Sequence, residues 1–188
     1  MLDDASDRAV FRNCTIRGNQ DTLFPNAGRS YFEKCTISGN VDFIFGAGTA
    51  VFSQCDIVSV DRGRAKDNGY VTAASTNINQ PYGFVFLNSR LLKDSPRMAR
   101  RSVHLGRPWH PAADSTAVGS VAFINTWMDD HISEAGWVRM RGRRRTPDSS
   151  ERPLAAENRQ RIVEAAEARR VVPREQVGLV ADVDGDLQ

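Results

Sequence analysis

Two aspartates stand out as residues able to do chemistry. Asp21 lies in GNQDTLF and Asp42 in NVDFIFG, 21 positions apart. Asp42 is flanked by Val41, Phe43, Ile44 and Phe45, so its carboxylate is either withdrawn from water or on the outward beat of a strand. Burial raises the pKa of a carboxyl group, and a second carboxylate nearby raises one of the pair further. Two aspartates driven apart in this way form an acid-and-base set. The competing reading has Asp21 capping a turn and Asp42 facing solvent, and two aspartates taken alone favour it.

The elements that carry these residues tip the balance. Phe11-Arg12-Asn13-Cys14-Thr15-Ile16 returns as Phe32-Glu33-Lys34-Cys35-Thr36-Ile37 and as Phe52-Ser53-Gln54-Cys55-Asp56-Ile57, at spacings of 21 and 20 residues. Looser echoes follow at Phe86-Leu87-Asn88-Ser89-Arg90-Leu91 and Phe123-Ile124-Asn125-Thr126-Trp127-Met128. Each unit is a short β-rich run bounded by Gly, Asn and Asp turn signals, with no helical pattern between units. A period in this range built of strands predicts a solenoid, and the simplest such solenoid is a parallel β-helix. A leucine-rich repeat has a similar period but needs regular leucines, which the chain lacks. Cys14, Cys35 and Cys55 are then an inward column of small, soft side chains. Asp21 and Asp42, one repeat apart, fall side by side on adjacent strands, about 5 Å between backbones. Carboxylates so placed titrate as a coupled pair, which favours a chemical role over a solvated ladder.

The remaining features narrow the field. With 188 residues, 25 Lys and Arg against 23 Asp and Glu, the chain suits one domain and shows no global charge that would mark a nucleic-acid or membrane partner. Three evenly spaced cysteines without CxxC do not make a disulfide framework. No apolar run reaches membrane length, and Met1 leads straight into LDDASD without a signal peptide, which fits either a cytosolic protein or a secreted one lacking its start. GxSxG, P-loop and GxGxxG motifs are absent. His104, His110 and His131 lack metal-ligand spacing and are expected at the surface or in loops. Residues 59–80 read as a long polar loop with a strand at Tyr70–Ala74 inside it, and 93–101 as a second, basic loop. The strand that follows ends in Gly106-Arg107-Pro108-Trp109, offering a cation able to grip a carboxylate and a flat face for a sugar ring.

After Trp137 the character changes, so residues 1–138 are expected to form the solenoid and 139–188 a separate region. The basic run Arg139–Arg145 reads as a solvated linker, and Ala155–Arg170 as a short amphipathic helix. Asp182, Asp184 and Asp186 alternate like the start of a calcium loop, but the glycine is misplaced, and a plain acidic terminus is the expectation.

Three segments, Gly18-Asn19-Gln20-Asp21-Thr22-Leu23, Val41-Asp42-Phe43-Ile44-Phe45-Gly46 and Leu105-Gly106-Arg107-Pro108-Trp109, resemble the signature segments of pectin methylesterases, in that family's order and near its spacing. Asp129-Asp130-His131-Ile132 and Gly136-Trp137 are similar to its later segments, so the resemblance covers about residues 7–137. It implies an all-β, right-handed parallel β-helix that hydrolyses methyl esters of galacturonate units in pectin, releasing methanol, without a metal or organic cofactor. By this resemblance Asp42 matches the nucleophile, Asp21 the general acid and later base, Gln20 an oxyanion-hole donor and Arg107 the partner of the nucleophile. Trp109, Val41 and Phe45 match substrate-binding residues. Methylated pectin is the implied partner, with no nucleic acid or membrane, and the protein is expected to be a monomer of a secreted family (extracellular, periplasmic or cell wall).

The chain also departs from that pattern. A further oxyanion-hole glutamine of the family would fall just before Met1, together with earlier turns and a secretion signal, so the solenoid is expected to be N-terminally incomplete. Loss of one oxyanion donor costs turnover about a hundred- to a thousandfold. The family's Phe-x-Glu-Tyr and Gly-Pro-Gly segments do not follow Trp137. Two other readings therefore stand beside the esterase: a weak or inactive relative, and a β-helix module that holds polysaccharide through Trp109. Pectate lyases and polygalacturonases share the fold, but their clustered calcium ligands and extra carboxylates are not evident.

Overall fold

Each repeat carries three short apolar runs separated by residues that accept a sharp turn, and the chain coils accordingly. The computed structural model describes residues 1–110 and 116–140, and every regular element among them is a strand. The first turn of the coil is β1 (Leu2–Asp4), β2 (Ala9–Arg12) and β3 (Thr15–Arg17). The second is β4 (Leu23–Pro25), β5 (Arg29–Glu33) and β6 (Thr36–Gly39). The third is β7 (Val41–Gly46), β8 (Thr49–Ser53) and β9 (Asp56–Ser59). β10 (Gly69–Ala74), β11 (Phe84–Leu87) and β12 (Arg90–Lys93) make the fourth. β13 (Val103–Gly106), β14 (Val121–Ile124) and β15 (Trp127–Met128) make the fifth. Equivalent strands pair in parallel into three sheets, β1-β4-β7-β10-β13, β2-β5-β8-β11-β14 and β3-β6-β9-β12-β15. This is the parallel β-helix that the repeat implied.

Identical rungs stack identical side chains, and that stacking is the core. Phe11, Phe32, Phe52, Phe86 and Phe123 form one continuous column, with successive rings 4.6 to 4.9 Å apart and within 13° of parallel. The spacing is that of neighbouring strands, so the ladder of backbone hydrogen bonds sets the ring separation. Ile16, Ile37, Ile57, Leu91 and Met128 occupy equivalent positions of the third sheet. At the corner between the second and third sheets, Asn13, Lys34, Gln54, Asn88 and Asn125 all adopt left-handed backbone, φ 47 to 55°. Each turns the chain so that the next residue points inward. Those next residues are Cys14, Cys35, Cys55, Ser89 and Thr126. Cys35 and Cys55 are buried, each thiol donating to backbone carbonyls, and burial pushes the Cys55 thiol up to about 12. The predicted inward cysteine column is present.

The strand expected inside residues 59–80 is β10, and the segment after Lys93 is a loop, as the sequence indicated. The helix expected over Ala155–Arg170, the acidic terminus and all of the basic run beyond Met140 lie outside the described residues.

Candidate active site

The site forms on the outer face of the first sheet, where two turns interrupt regular strand geometry at the same place. Leu23 pairs with Ile44, so Asp21 and Asp42 each stand two residues before a matched pair. Asp21 lies in the turn leading into β4 and donates its backbone N–H to Val41 O at 3.1 Å. Asp42 lies within β7. Val41 pairs with Tyr70 and Ile44 with Thr72, so Asp42 and Phe43 together face a single residue, Val71. This extra residue is a β-bulge, a feature that re-aims side chains. Both aspartates have left-handed backbone, φ 53° at Asp21 and 50° at Asp42. Single aspartates visit that region more readily than most residues, and their placement side by side shows local backbone geometry held by the surrounding ladder.

Asp42 is 6% exposed yet fully partnered. Arg107 Nε donates to its Oδ1 at 2.8 Å and its Oδ2 at 3.2 Å, and the terminal Nη2 donates to Oδ2 at 2.7 Å. This planar fork fits the carboxylate form of the side chain. Arg107 leaves β13 directly after Gly106, where any Cβ would collide with Thr72 Oγ1. The close approach lets Arg107 N donate to Thr72 O at 3.0 Å and Trp109 N to Ala74 O at 3.1 Å, which directs both side chains over the sheet.

Asp21 is half-buried, and its environment differs. Desolvation raises its pKa above 3.8, and the neighbouring Asp42 charge raises it further, while a hydrogen bond from the exposed Gln20 side chain and the Arg107 charge oppose the rise. One carboxyl is thus gripped by a cation and its neighbour favours holding a proton. Such a pair can supply a nucleophile and a general acid.

An apolar wall borders the pair. Phe24 stacks on Phe45 at 4.2 Å and 12°, and Trp109 meets Phe45 edge-on at 6.1 Å and 72°. Val41 is buried beside Asp42. All seven site residues expected from the sequence, Gln20, Asp21, Val41, Asp42, Phe45, Arg107 and Trp109, lie on the first sheet or the turns that enter and leave it. Sequence reasoning missed Phe24 and Tyr70. Phe24 is 21 positions before Phe45, the spacing that drew attention to the aspartates, so the signal was available. Tyr70 had none, because the loop before β10 lengthens that turn and breaks the period.

The histidines require a correction. His104 lies on β13 and is 8% exposed, so it is neither a surface nor a loop residue, whereas His131 does lie in a turn but is fully buried there. His104 stacks on Tyr70 at 5.5 Å, and its Nε2 meets Asp67 Oδ1 at 3.0 Å. His131 Nε2 meets Ser59 Oγ at 3.2 Å, and burial pushes its pKa down to about 4. His104 thus packs on the outer face of the first sheet, whereas His131 is enclosed. His110 alone is exposed. Among the described residues no three His, Cys, Asp or Glu side chains converge as a metal site requires.

A parallel β-helix bearing adjacent aspartates, an arginine fork on one of them and an aromatic wall is a distinctive combination. The family described as Pectinesterase matches residues 1–149. Pectinesterase A of Dickeya chrysanthemi is 49% identical over 150 residues, which cover 74% of this chain and 40% of that relative. The pectin methylesterase from Yersinia enterocolitica superposes with a TM-score of 0.68 at 50% identity, over 72% of this chain and 44% of that one. A mutant pectin methylesterase crystallised in complex with a hexasaccharide superposes with a TM-score of 0.66 at 49% identity, over 67% of this chain and 40% of that one. The chain belongs to the pectinesterase family. It spans about 40% of the length of Pectinesterase A.

Proposed function

We propose that the protein is a carboxylic ester hydrolase that removes methyl esters from galacturonate units of pectin. The observation that carries this reading is the pairing of Asp42 with Arg107 beside Asp21, one repeat away, against the Phe24–Phe45–Trp109 wall. The wall suits the apolar face of a sugar ring and the methyl group, and the polar pair faces the ester.

In the proposed sequence an Asp42 carboxylate oxygen attacks the ester carbonyl carbon, and the carbonyl electrons move onto oxygen. The Gln20 amide donates to that oxyanion. The intermediate collapses as Asp21 gives its proton to the departing methoxy oxygen, releasing methanol and leaving an anhydride between Asp42 and the galacturonyl group. Asp21, now a carboxylate, takes a proton from water, which attacks the galacturonyl carbon. Collapse frees the Asp42 carboxylate and the galacturonate product. Through its bidentate fork Arg107 holds the Asp42 side chain aimed throughout. Every proton and electron pair is carried by the two aspartates, water and substrate. A cell-wall polymer as substrate supports a location outside the cytoplasm.

A pH-stat assay on highly methylated pectin tests the reaction class. One proton and one methanol released together, with no new reducing ends and no unsaturated sugars, is the expected result. New chain ends would assign a glycosidic hydrolase or lyase instead. Retention of the chain on pectin without methanol release would assign a binding module.

A further inference from the structure

The arginine that grips Asp42 is itself held, and the holding residues lie outside the sequence motifs that resemble the family's. Val41, Tyr70 and His104 form one outward column across β7, β10 and β13, paired Val41 to Tyr70 and Tyr70 to His104. The Arg107 guanidinium carbon lies 4.1 Å from the centre of the Tyr70 ring. The Tyr70 ring lies 5.5 Å from the His104 ring, at 14°. His104 Nε2 meets Asp67 Oδ1 at 3.0 Å, and Asp67 has left-handed backbone, φ 49°. Asp67 is in turn held at the end of a tightly bonded loop. Asn68, fully buried, accepts from the backbone N–H groups of Arg62 and Arg64 and donates to Asp61 Oδ1 at 2.9 Å. The loop, two stacked rings and a guanidinium thus form one continuous support ending at Asp42.

We infer that Tyr70, backed by His104 and Asp67, is a positioning residue that sets the plane of Arg107 so that its fork meets Asp42. This rests on the proposed esterase reading for its catalytic meaning, though not for its geometry. Arg107 makes its fork from the end of a long side chain, which without a platform samples many rotamers. A cation over an aromatic face is attracted to the ring quadrupole, more strongly where water is partly excluded, and the Arg107 side chain is only 21% exposed. Tyr70 therefore limits Arg107 from the face while Asp42 limits it from the edge. The inference separates Tyr70 from Phe24, Phe45 and Trp109: its ring meets a protein cation and a protein ring, and its function acts through Arg107.

The test uses the whole chain and the variants Tyr70→Leu, Tyr70→Phe and Asp67→Ala, with two readouts. The first is NMR hydrogen exchange of the Arg107 Nε–H, which needs no turnover. Tyr70→Leu should speed that exchange about tenfold, Tyr70→Phe should return it close to the native rate, and Asp67→Ala should speed it in the same direction by less. The second is steady-state kinetics on methylated pectin. Tyr70→Leu should lower kcat about tenfold with KM little changed, and Tyr70→Phe should recover most of kcat. Unchanged Arg107 exchange in Tyr70→Leu would overturn the inference, and so would a rise in KM alone, which would make Tyr70 a substrate contact. If Tyr70→Leu does not fold, as judged by its thermal melt, Asp67→Ala decides, since Asp67 is half exposed and removed from the core. Native exchange in a folded Asp67→Ala then counts against the support. If the native chain releases no methanol, the exchange readout still stands, so failure of the esterase reading and failure of this one remain distinct.

Discussion

Asp42 and Arg107 are 65 positions apart in sequence and joined by three hydrogen bonds of 2.7 to 3.2 Å. Two turns of the coil close the distance. β10 pairs with both β7 and β13, so a residue leaving β13 reaches over one strand to the bulge in β7. The pair joins the two segments most easily read as functional.

Arg107→Lys keeps the charge and removes the fork. An ammonium offers no planar pair of donors and no flat face toward Tyr70. The expected result is a fall in kcat of about ten- to a hundredfold, equivalent to about 1.4–2.8 kcal/mol, with a smaller change in KM. Kinetics equal to the native enzyme's would show that the bidentate contact is not used.

Asp42→Asn has opposing effects on stability. Removing the charge relieves repulsion with Asp21, but it also takes the ionic partner from a partly buried guanidinium. The second effect is the larger because it involves three direct hydrogen bonds. The variant should unfold at lower denaturant, by about 1–3 kcal/mol. Chemical denaturation at neutral pH checks this, and a variant more stable than the native chain would show that like-charge repulsion dominates.

Asp21 carries the opposite sign. Its folded pKa lies above the unfolded value of 3.8, because of burial first and Asp42 second. Below pH 3.8 the group is protonated in both states and makes no charge-related difference. As pH rises through the folded value the unfolded state is favoured, because it releases its proton more readily. Asp21→Asn should therefore be more stable than the native chain near pH 7, and the gap should close toward pH 3.8. The same substitution removes the proposed general acid and should lower kcat by about a hundred- to ten-thousandfold. Melts across this pH range, with rates at each, measure both.

His131 predicts acid lability away from the site. Its pKa falls from 6.5 in the unfolded chain to about 4 in the fold, mainly through burial. Between those values the unfolded state binds the proton and the folded state does not, so stability drops as pH falls from about 6.5 to about 4. The full contribution is about 3 kcal/mol. His131→Gln should flatten that part of the stability curve in urea titrations. An unchanged slope would assign the acid sensitivity elsewhere.

Much of this architecture was legible because a solenoid writes its geometry into its period. Cys14, Cys35 and Cys55 announced their inward column, and the same spacing placed Asp21 beside Asp42. His104 was misplaced, and the burial of His131 in its turn went unseen, because burial of a single ring leaves no periodic mark. His131 sits beyond the last full repeat, and His104 follows a loop that shifts the count. Tyr70 was hidden for the same reason, since its turn is longer than its neighbours. The left-handed backbone at both aspartates was also invisible, because it comes from the bulge at Asp42 and the turn at Asp21, which leave no periodic mark. Periodicity revealed what repeats, and the supports of the site are where the repeat is broken.

The most direct measurement of the central claim is methanol release from highly methylated pectin by the purified chain, with Asp42→Asn alongside at equal concentration. The account predicts steady release from the native chain and a fall of at least about a thousandfold in the variant. Equal release from the two would remove Asp42 as the nucleophile, and no release from a folded native chain would contradict the esterase assignment.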